Sequence, residues 1–225
     1  MINITVLTLV DRVSTFYSLT PFFYSKNKAA NFTYTTDSEW CLKKDKNTIL
    51  ILMRQFIKPD RVDLSLLEKL RNKYSRIAFF HDDAGGGIPR LEVLPFVDLF
   101  YSKALFKDRT LYERPLYGKE LYSDYYHTAY GVVDPDYRER PAVKDAAQLD
   151  KLRLSWNIGI GDYPRNHFRQ KAGVAAARVF GPATARFLAL RKEFDPEAAV
   201  RDNKGLWPVH ARIGLISRPS ISYQR

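Results

Sequence analysis

Between Asn47 and Tyr101 short apolar runs alternate with a single amphipathic stretch, and this alternation narrows the possible folds more than any other feature of the chain. Thr48 to Met53 is continuously apolar, the pattern of a strand covered on both faces. Lys58-Pro59-Asp60 then breaks the chain before a helix in which Val62, Leu66, Leu67, Leu70 and Tyr74 share one face. Glu68, Lys69, Arg71, Asn72 and Lys73 point outward, and Asp60 or Asp63 supplies the cap. Arg76 to Phe80 reads as the next strand and Phe96 to Tyr101 as the one after it. Ile2 to Val10, apolar and β-branched, reads as the first strand, with Ser14 or Thr15 capping Phe16 to Phe23. Strands joined in this way predict an α/β fold, a Rossmann-like parallel sheet covered by helices with right-handed crossovers.

The rest of the chain is less regular. Leu105 to Tyr130 is an irregular tyrosine-rich lobe, with Tyr112, Tyr117, Tyr122, Tyr125, Tyr126 and Tyr130 among charged residues and His127. Asp134 to Lys144, with Pro135 and Pro141, reads as an exposed loop or linker. Leu149 to Ile158 is expected to be a helix stopped by Gly159 and Gly161, and Phe168 to Glu193 two helices divided at Gly181-Pro182. His210 to Ile216 reads as a strand leading into Ser217-Arg218-Pro219. The expected organisation is a Rossmann-like domain over 1–133, a linker over 134–148, a basic helical segment over 149–209, and a new strand and loop over 210–225.

The net charge is +11, and residues 165–225 carry +8 of it, from twelve Lys or Arg against four Asp or Glu. Regional basicity of this kind attracts polyanions, phosphorylated ligands or anionic surfaces without choosing among them. The segment Arg165 to Lys192 carries no nucleic-acid motif, and a solvated basic face is the favoured reading over nucleic-acid binding. A single cysteine, Cys41, excludes an internal disulfide framework and fits a reducing compartment. The apolar N-terminus lacks a basic leader and runs into Asp11 and Arg12, and no apolar run reaches the length of a membrane span. The expectation is a cytoplasmic protein, soluble or at most peripheral on the inner face of the membrane.

Candidate chemistry gathers after the strand Arg76 to Phe80, where His81-Asp82-Asp83-Ala84-Gly85-Gly86-Gly87 follows directly. Asp82, Asp83 or His81 can accept a proton from a hydroxyl, and Gly85 and Gly86 let a ligand approach the backbone. The competing reading is a turn built from ordinary turn residues. Asp11 and Arg12, after the first strand, and Arg54, after the second, belong to the same edge of a parallel sheet. Two adjacent carboxylates without a further ligand make a weak metal site, and the four histidines are too scattered for zinc. No metal or cofactor is expected. Gly159-Ile160-Gly161 lacks the third glycine of a dinucleotide fingerprint. Arg218 can bind phosphate with neighbouring backbone donors.

Several segments together resemble the amino-terminal, acceptor-side half of a bacterial glycosyltransferase of the two-domain GT-B type, of the exostosin-like and surface-polysaccharide kind. They are Asp82-Asp83 after Ile77-Ala78-Phe79-Phe80, Tyr101-Ser102-Lys103 after Val97-Asp98-Leu99-Phe100, Arg114-Pro115-Leu116-Tyr117-Gly118, Asp124-Tyr125-Tyr126-His127, and Leu152-Arg153-Leu154-Ser155-Trp156-Asn157-Ile158-Gly159. The resemblance implies a nucleotide-sugar donor, a glycan or lipid-linked sugar acceptor, and no metal. It assigns the general base to Asp82, Asp83 or His81, acceptor contacts to Asp11, Arg12, Arg54, Gly85, Gly86, Tyr125 and His127, and donor phosphate to Arg218. It also implies that residues 210–225 open a donor domain that the chain does not contain, so that the activity is expected only with a separate donor-domain chain or a longer reading frame. The alternative is a basic module that binds nucleic acid or another polyanion without catalysis.

Overall fold

The computed structural model of the chain describes residues 1–9, 19, 22–23, 29–53, 63–81, 90–102, 105–118, 121–135, 137, 139–155, 167–184 and 223–224. Six strands form one all-parallel sheet: β1 (Ile2–Leu7), β2 (Ala30–Thr35), β3 (Ile49–Met53), β4 (Arg76–His81), β5 (Leu99–Ser102) and β7 (Leu152–Leu154). A two-residue strand, β6 (Leu105–Phe106), pairs antiparallel with β8 (Tyr223–Gln224). The helices are α1 (Ser38–Lys43), α2 (Leu64–Lys73), α3 (Leu121–Tyr130) and α4 (His167–Phe180). Short 3₁₀ segments occupy Leu91–Phe96, Arg109–Tyr112, Ala146–Lys151 and Pro182–Thr184.

The sheet order is β2-β1-β3-β4-β5-β7. From β1 the chain steps outward to β2, then crosses back and adds every later strand on the other side. A crossover of fixed hand must then change faces where the direction of winding reverses. The core shows this change. Leu19, Phe22 and Phe23, between β1 and β2, pack with Val6, Ile51, Met53 and Phe80 on one face. Cys41 of α1, Leu67 and Leu70 of α2, Leu91, Val93 and Leu94 pack on the other with Leu7, Leu50, Leu52, Ile77, Phe79 and Phe100. Both faces are covered, as the continuous apolar run of β3 requires.

The helix predicted after β3 forms, and of its two candidate caps Asp63 serves, accepting the Leu66 N–H at 3.0 Å. Asp37 caps α1 in the same way from Trp40 at 3.0 Å. Several elements differ from the sequence expectation, among them the helices α1 and α3, which it did not include. Ala30–Thr35 is an edge strand whose aromatic residues Phe32 and Tyr34 reach the core, alternating with Asn31 and Thr33; an apolar run is not needed where only one side of a strand is covered. Leu149 begins no helix: a 3₁₀ segment ends at Lys151, and Leu152-Arg153-Leu154 extends the sheet beside β5. Three residues of alternation satisfy either period, and pairing with Phe100, Tyr101 and Ser102 decides it. The strand expected from Phe96 starts at Leu99, because Pro95 lies in a 3₁₀ turn that delivers Val97 to the core. Of the long basic helix, Phe180 ends α4 before Gly181 at φ +92° and a 3₁₀ turn, as Gly181-Pro182 predicts. The expected strand His210 to Ile216 lies outside the described residues.

Between β5 and β7 the place of a crossover helix is taken by the lobe of residues 105–143. Leu105, Phe106, Tyr112 and Leu116 anchor it to the α2 face of the sheet. Arg140 closes it by backbone pairing with Leu116, at 3.0 and 3.1 Å. Among the described residues no helix is long and apolar enough to cross a membrane.

Candidate functional site at the carboxyl edge of the sheet

A parallel sheet places every strand's carboxyl end on one edge, and where winding reverses the flanking connections leave on opposite faces and open a crevice. Here that point lies between β1 and β3, which pair side by side with Leu7 opposite Leu52. Asp11 and Arg12 follow β1 in sequence and Arg54 follows β3 directly, so the strands that precede them are the two that border the switch point. These three residues themselves lie outside the described residues, as do Asp82, Asp83, Gly85, Gly86 and Arg218.

The described part of the edge places buried polar groups at the strand ends. Thr8, fully buried after β1, donates from its backbone N–H to the Thr35 carbonyl at 3.0 Å. His81, the last residue of β4, lies in register with Ser102, the last of β5. Both are buried, His81 at 2% exposure and Ser102 at 4%. The imidazole lies near-parallel to Phe100, with centroids 5.9 Å apart, and is tilted against Phe79 at 6.3 Å. The Ser102 carbonyl accepts the Ser155 N–H at 2.8 Å, which carries the edge past β7. Arg90, buried at 4% exposure, precedes the 3₁₀ turn Leu91–Phe96. Thr8 and Arg90 are residues that sequence reasoning did not single out, and Ser102 stood there only within Tyr101-Ser102-Lys103, without a role; its register with His81 appears only once the strands are paired.

Tyr125 and His127 sit in the lobe, which leaves the same edge immediately after β5. Their described contacts are all within it. The His127 ring stacks on Tyr117 with centroids 3.6 Å apart, and Tyr117 stacks on Tyr137 at 4.2 Å. The Val132 carbonyl lies 2.9 Å from His127 Nδ1, and since a carbonyl only accepts, Nδ1 carries the proton. The free lone pair of the neutral ring is then on Nε2. Asp124 fixes the stack from below, accepting the Tyr117 N–H at 2.9 Å and pairing with Arg114 at 3.0 Å. Tyr125 packs edge-on against Tyr126 and Tyr130, with centroids 5.5 and 5.9 Å away, and the hydrogen bond to Tyr130 raises the Tyr125 pKa.

The chain matches no protein-family model, no curated protein and no solved structure. The functional reading therefore rests on the edge itself. Among the described residues no group of three or more His, Cys, Asp or Glu is placed to hold a metal ion.

Proposed function

We propose that the chain forms the acceptor-side half of a sugar-nucleotide-dependent glycosyltransferase, working against a donor-binding unit and acting on a glycan or lipid-linked acceptor of a surface polysaccharide. The observation that carries this reading is the all-parallel sheet whose reversal of winding opens at β1 and β3, beside the strand from which His81-Asp82-Asp83 emerges. Such an edge presents ligand to the segments that follow its strands, and after β1, β3 and β4 the sequence of this chain carries Asp11, Arg12, Arg54, Asp82, Asp83, Gly85 and Gly86.

In the reaction, an acceptor hydroxyl oxygen bonds to the anomeric carbon as the bond from that carbon to the nucleotide diphosphate breaks. The hydroxyl proton passes to a carboxylate. His81 is enclosed by Phe79 and Phe100, so it positions the segment it begins, and proton acceptance falls to Asp82 or Asp83. Tyr125 and His127 contribute aromatic and hydrogen-bonding surface to the acceptor, and Arg218 meets donor phosphate. No metal cofactor enters this scheme.

The test has two arms. Saccharide binding to the chain is read by ligand-observed NMR, and transfer is read with the donor-binding unit present. Asp82→Asn and Asp83→Asn are expected to keep the fold and the binding of saccharide while transfer falls by roughly 10²–10⁴-fold in at least one of them. Unchanged turnover in both variants overturns the general-base assignment. Absence of saccharide binding, together with salt-sensitive binding of nucleic acid that both variants retain, establishes instead the basic interaction module that a charge of +11 favours.

A further inference from the structure

Three rings of the lobe stack in one column, and one of them carries a hydrogen-bond acceptor that no described residue uses. The His127 ring lies 3.6 Å from Tyr117 at 4°, and the Tyr137 ring lies 4.2 Å from Tyr117 at 18°. Two rings cannot share one face at these distances, so Tyr117 is sandwiched between the others. The end of α3 builds the column. Gly131 donates its N–H to the His127 carbonyl at 2.9 Å and Val132 to the Tyr126 carbonyl at 3.4 Å, so the chain turns back over the last turn of the helix. That turn sets the Val132 carbonyl against His127 Nδ1. Farther along, the Asp134 N–H donates to the Tyr117 hydroxyl at 2.8 Å and the Tyr137 N–H to the Asp134 carbonyl at 3.1 Å, which seats the third ring.

The polar atoms of the column can be accounted for one by one. The Nδ1 proton is committed to the Val132 carbonyl, which leaves the lone pair on Nε2. Among the described residues no donor reaches Nε2, and it is not one of the buried polar atoms without a partner, so it faces solvent on a ring that is only partly buried. The Tyr117 hydroxyl accepts from Asp134, and its own proton has no acceptor among the described residues. The Tyr137 hydroxyl donates to Glu139 at 3.1 Å, and that carboxylate keeps room for further donors. Flat aromatic surface with a few fixed polar atoms is the usual makeup of a small-molecule site. A sugar hydroxyl both donates and accepts, so it can meet Nε2 and the Tyr117 hydroxyl alike. The phosphates of a nucleotide only accept, and they would set acceptor against acceptor at Nε2 and Glu139.

We propose that the Tyr117, His127 and Tyr137 column is a sugar subsite in which a ligand hydroxyl donates to His127 Nε2 while the pyranose ring lies against the stacked rings. This deepens the acceptor-side reading and rests on it: the lobe holds a hydroxylated ring of the acceptor and not the donor nucleotide. The rings and the tautomer are fixed by contacts within the lobe, so binding requires little further ordering of either.

The experiment is NMR on the full chain at pH 8 with the methyl glycosides of glucose, galactose, mannose and N-acetylglucosamine, and with uridine diphosphate as the rival occupant. Proton–nitrogen correlation reads the His127 ring, and saturation transfer reads the ligand. The chain alone is expected to show His127 protonated on Nδ1, and at least one glycoside to move its Nε2 resonance. That glycoside is expected to bind roughly fivefold or more weakly to His127→Phe, which keeps a ring on Tyr117 and removes the acceptor. The Nε2 resonance is read on the wild type, so this arm decides even where the variant fails to fold. A glycoside that binds without moving Nε2, or that binds folded His127→Phe equally well, overturns the subsite and leaves the acceptor-side reading standing. So does an Nδ1 without its proton. Uridine diphosphate moving Nε2 where no glycoside does assigns the column to the donor and overturns the proposal. Binding of neither overturns the subsite together with the saccharide-binding arm of the reading it rests on.

Discussion

Arg140 is fully buried, yet no described carboxylate forms a salt bridge with it. Its guanidinium lies over the Phe106 ring at 5.5 Å and the Tyr112 ring at 5.3 Å, and Nη2 donates to the carbonyls of Leu111 and Arg114. Among the described residues Nε and Nη1 have no hydrogen-bond partner. Burial lowers its pKa and the charge on Arg114 adds to this, against the opposing pull of Tyr112 and Asp124. The residue therefore acts as a clamp made of ring stacking and two carbonyl contacts, holding against the sheet a lobe whose one helix, α3, buries no residue of its own. Arg140→Ala removes that packing and strands both carbonyls, and is expected to cost about 3 kcal/mol in urea unfolding. Arg140→Lys keeps the charge but not the flat fork, and is expected to recover less than half of the loss. An unchanged urea midpoint in Arg140→Ala would show that the lobe is held by other means. In the sequence Arg140 sits before Pro141 in a stretch that reads as a linker, because the partners that bury it lie 24 or more residues earlier and no local pattern announces them. Tyr125 and His127 became candidates through the resemblance carried by Asp124-Tyr125-Tyr126-His127, whereas the stacking of His127 on Tyr117 depends on the turn at Gly131, φ +66°, that brings the Val132 carbonyl to Nδ1.

Among the elements, the corner between α2, β4 and β5 shows how a few polar contacts set strand register. Asp98 Oδ2 accepts the Ile77 N–H at 2.7 Å and pairs with Arg71 at 2.5 Å, while Oδ1 meets Arg76 at 3.2 Å. Arg71 also donates to the Tyr74 and Ser75 carbonyls at 2.8 and 2.7 Å, closing the end of α2. Burial raises the Asp98 pKa, but the Ile77 N–H and Arg71 outweigh it, and the net direction is down. A carboxyl whose pKa is lower folded than unfolded adds stability that is fully present above its unfolded value and is lost as pH falls through the folded one. Asp98→Asn is therefore expected to lower stability at pH 7 and to narrow the gap from wild type as pH falls below the ordinary aspartate value of about 3.9, read as urea midpoints across pH. A gap that widens toward acid would contradict that sign. The helix α2 and strands β3 and β4 were plain in the sequence because each carries one strong period over enough residues. β2 and β7 were not, since an edge strand covered on one side and a strand of three residues offer too little pattern, and what makes them strands is a neighbour already in place.

At the scale of the whole molecule, a second polar network joins elements that the sheet alone does not. Asp45 lies before β3; its Oδ2 accepts the Tyr74 hydroxyl at 2.6 Å and the Thr5 hydroxyl, and its Oδ1 accepts the Asn47 N–H at 3.0 Å. Asn47 in turn donates to Thr5 Oγ1 at 2.9 Å, so β1, the approach to β3 and the end of α2 share one buried carboxylate. Beside it Cys41 is fully buried in the α2-side core. Burial pushes its thiol up to about 11, with the charge on Asp45 adding, despite the Tyr74 hydroxyl nearby. Only the thiolate attacks a disulfide reagent, so Cys41 is silent in the folded chain on two counts, access and protonation. Labelling by an aromatic disulfide should accordingly report opening of the whole α2-side core, with a rate that follows the unfolded population when closing is faster than reaction. Tyr74→Phe removes one hydrogen bond to the buried Asp45 at almost constant volume and is expected to cost about 1–2 kcal/mol. Since about 1.4 kcal/mol is a tenfold change in population, labelling should accelerate roughly five- to thirtyfold. Labelling that is fast in the wild type, and unaffected by Tyr74→Phe when the urea midpoint has moved, would mean that α1 opens on its own and that the core on this face is not one cooperative unit.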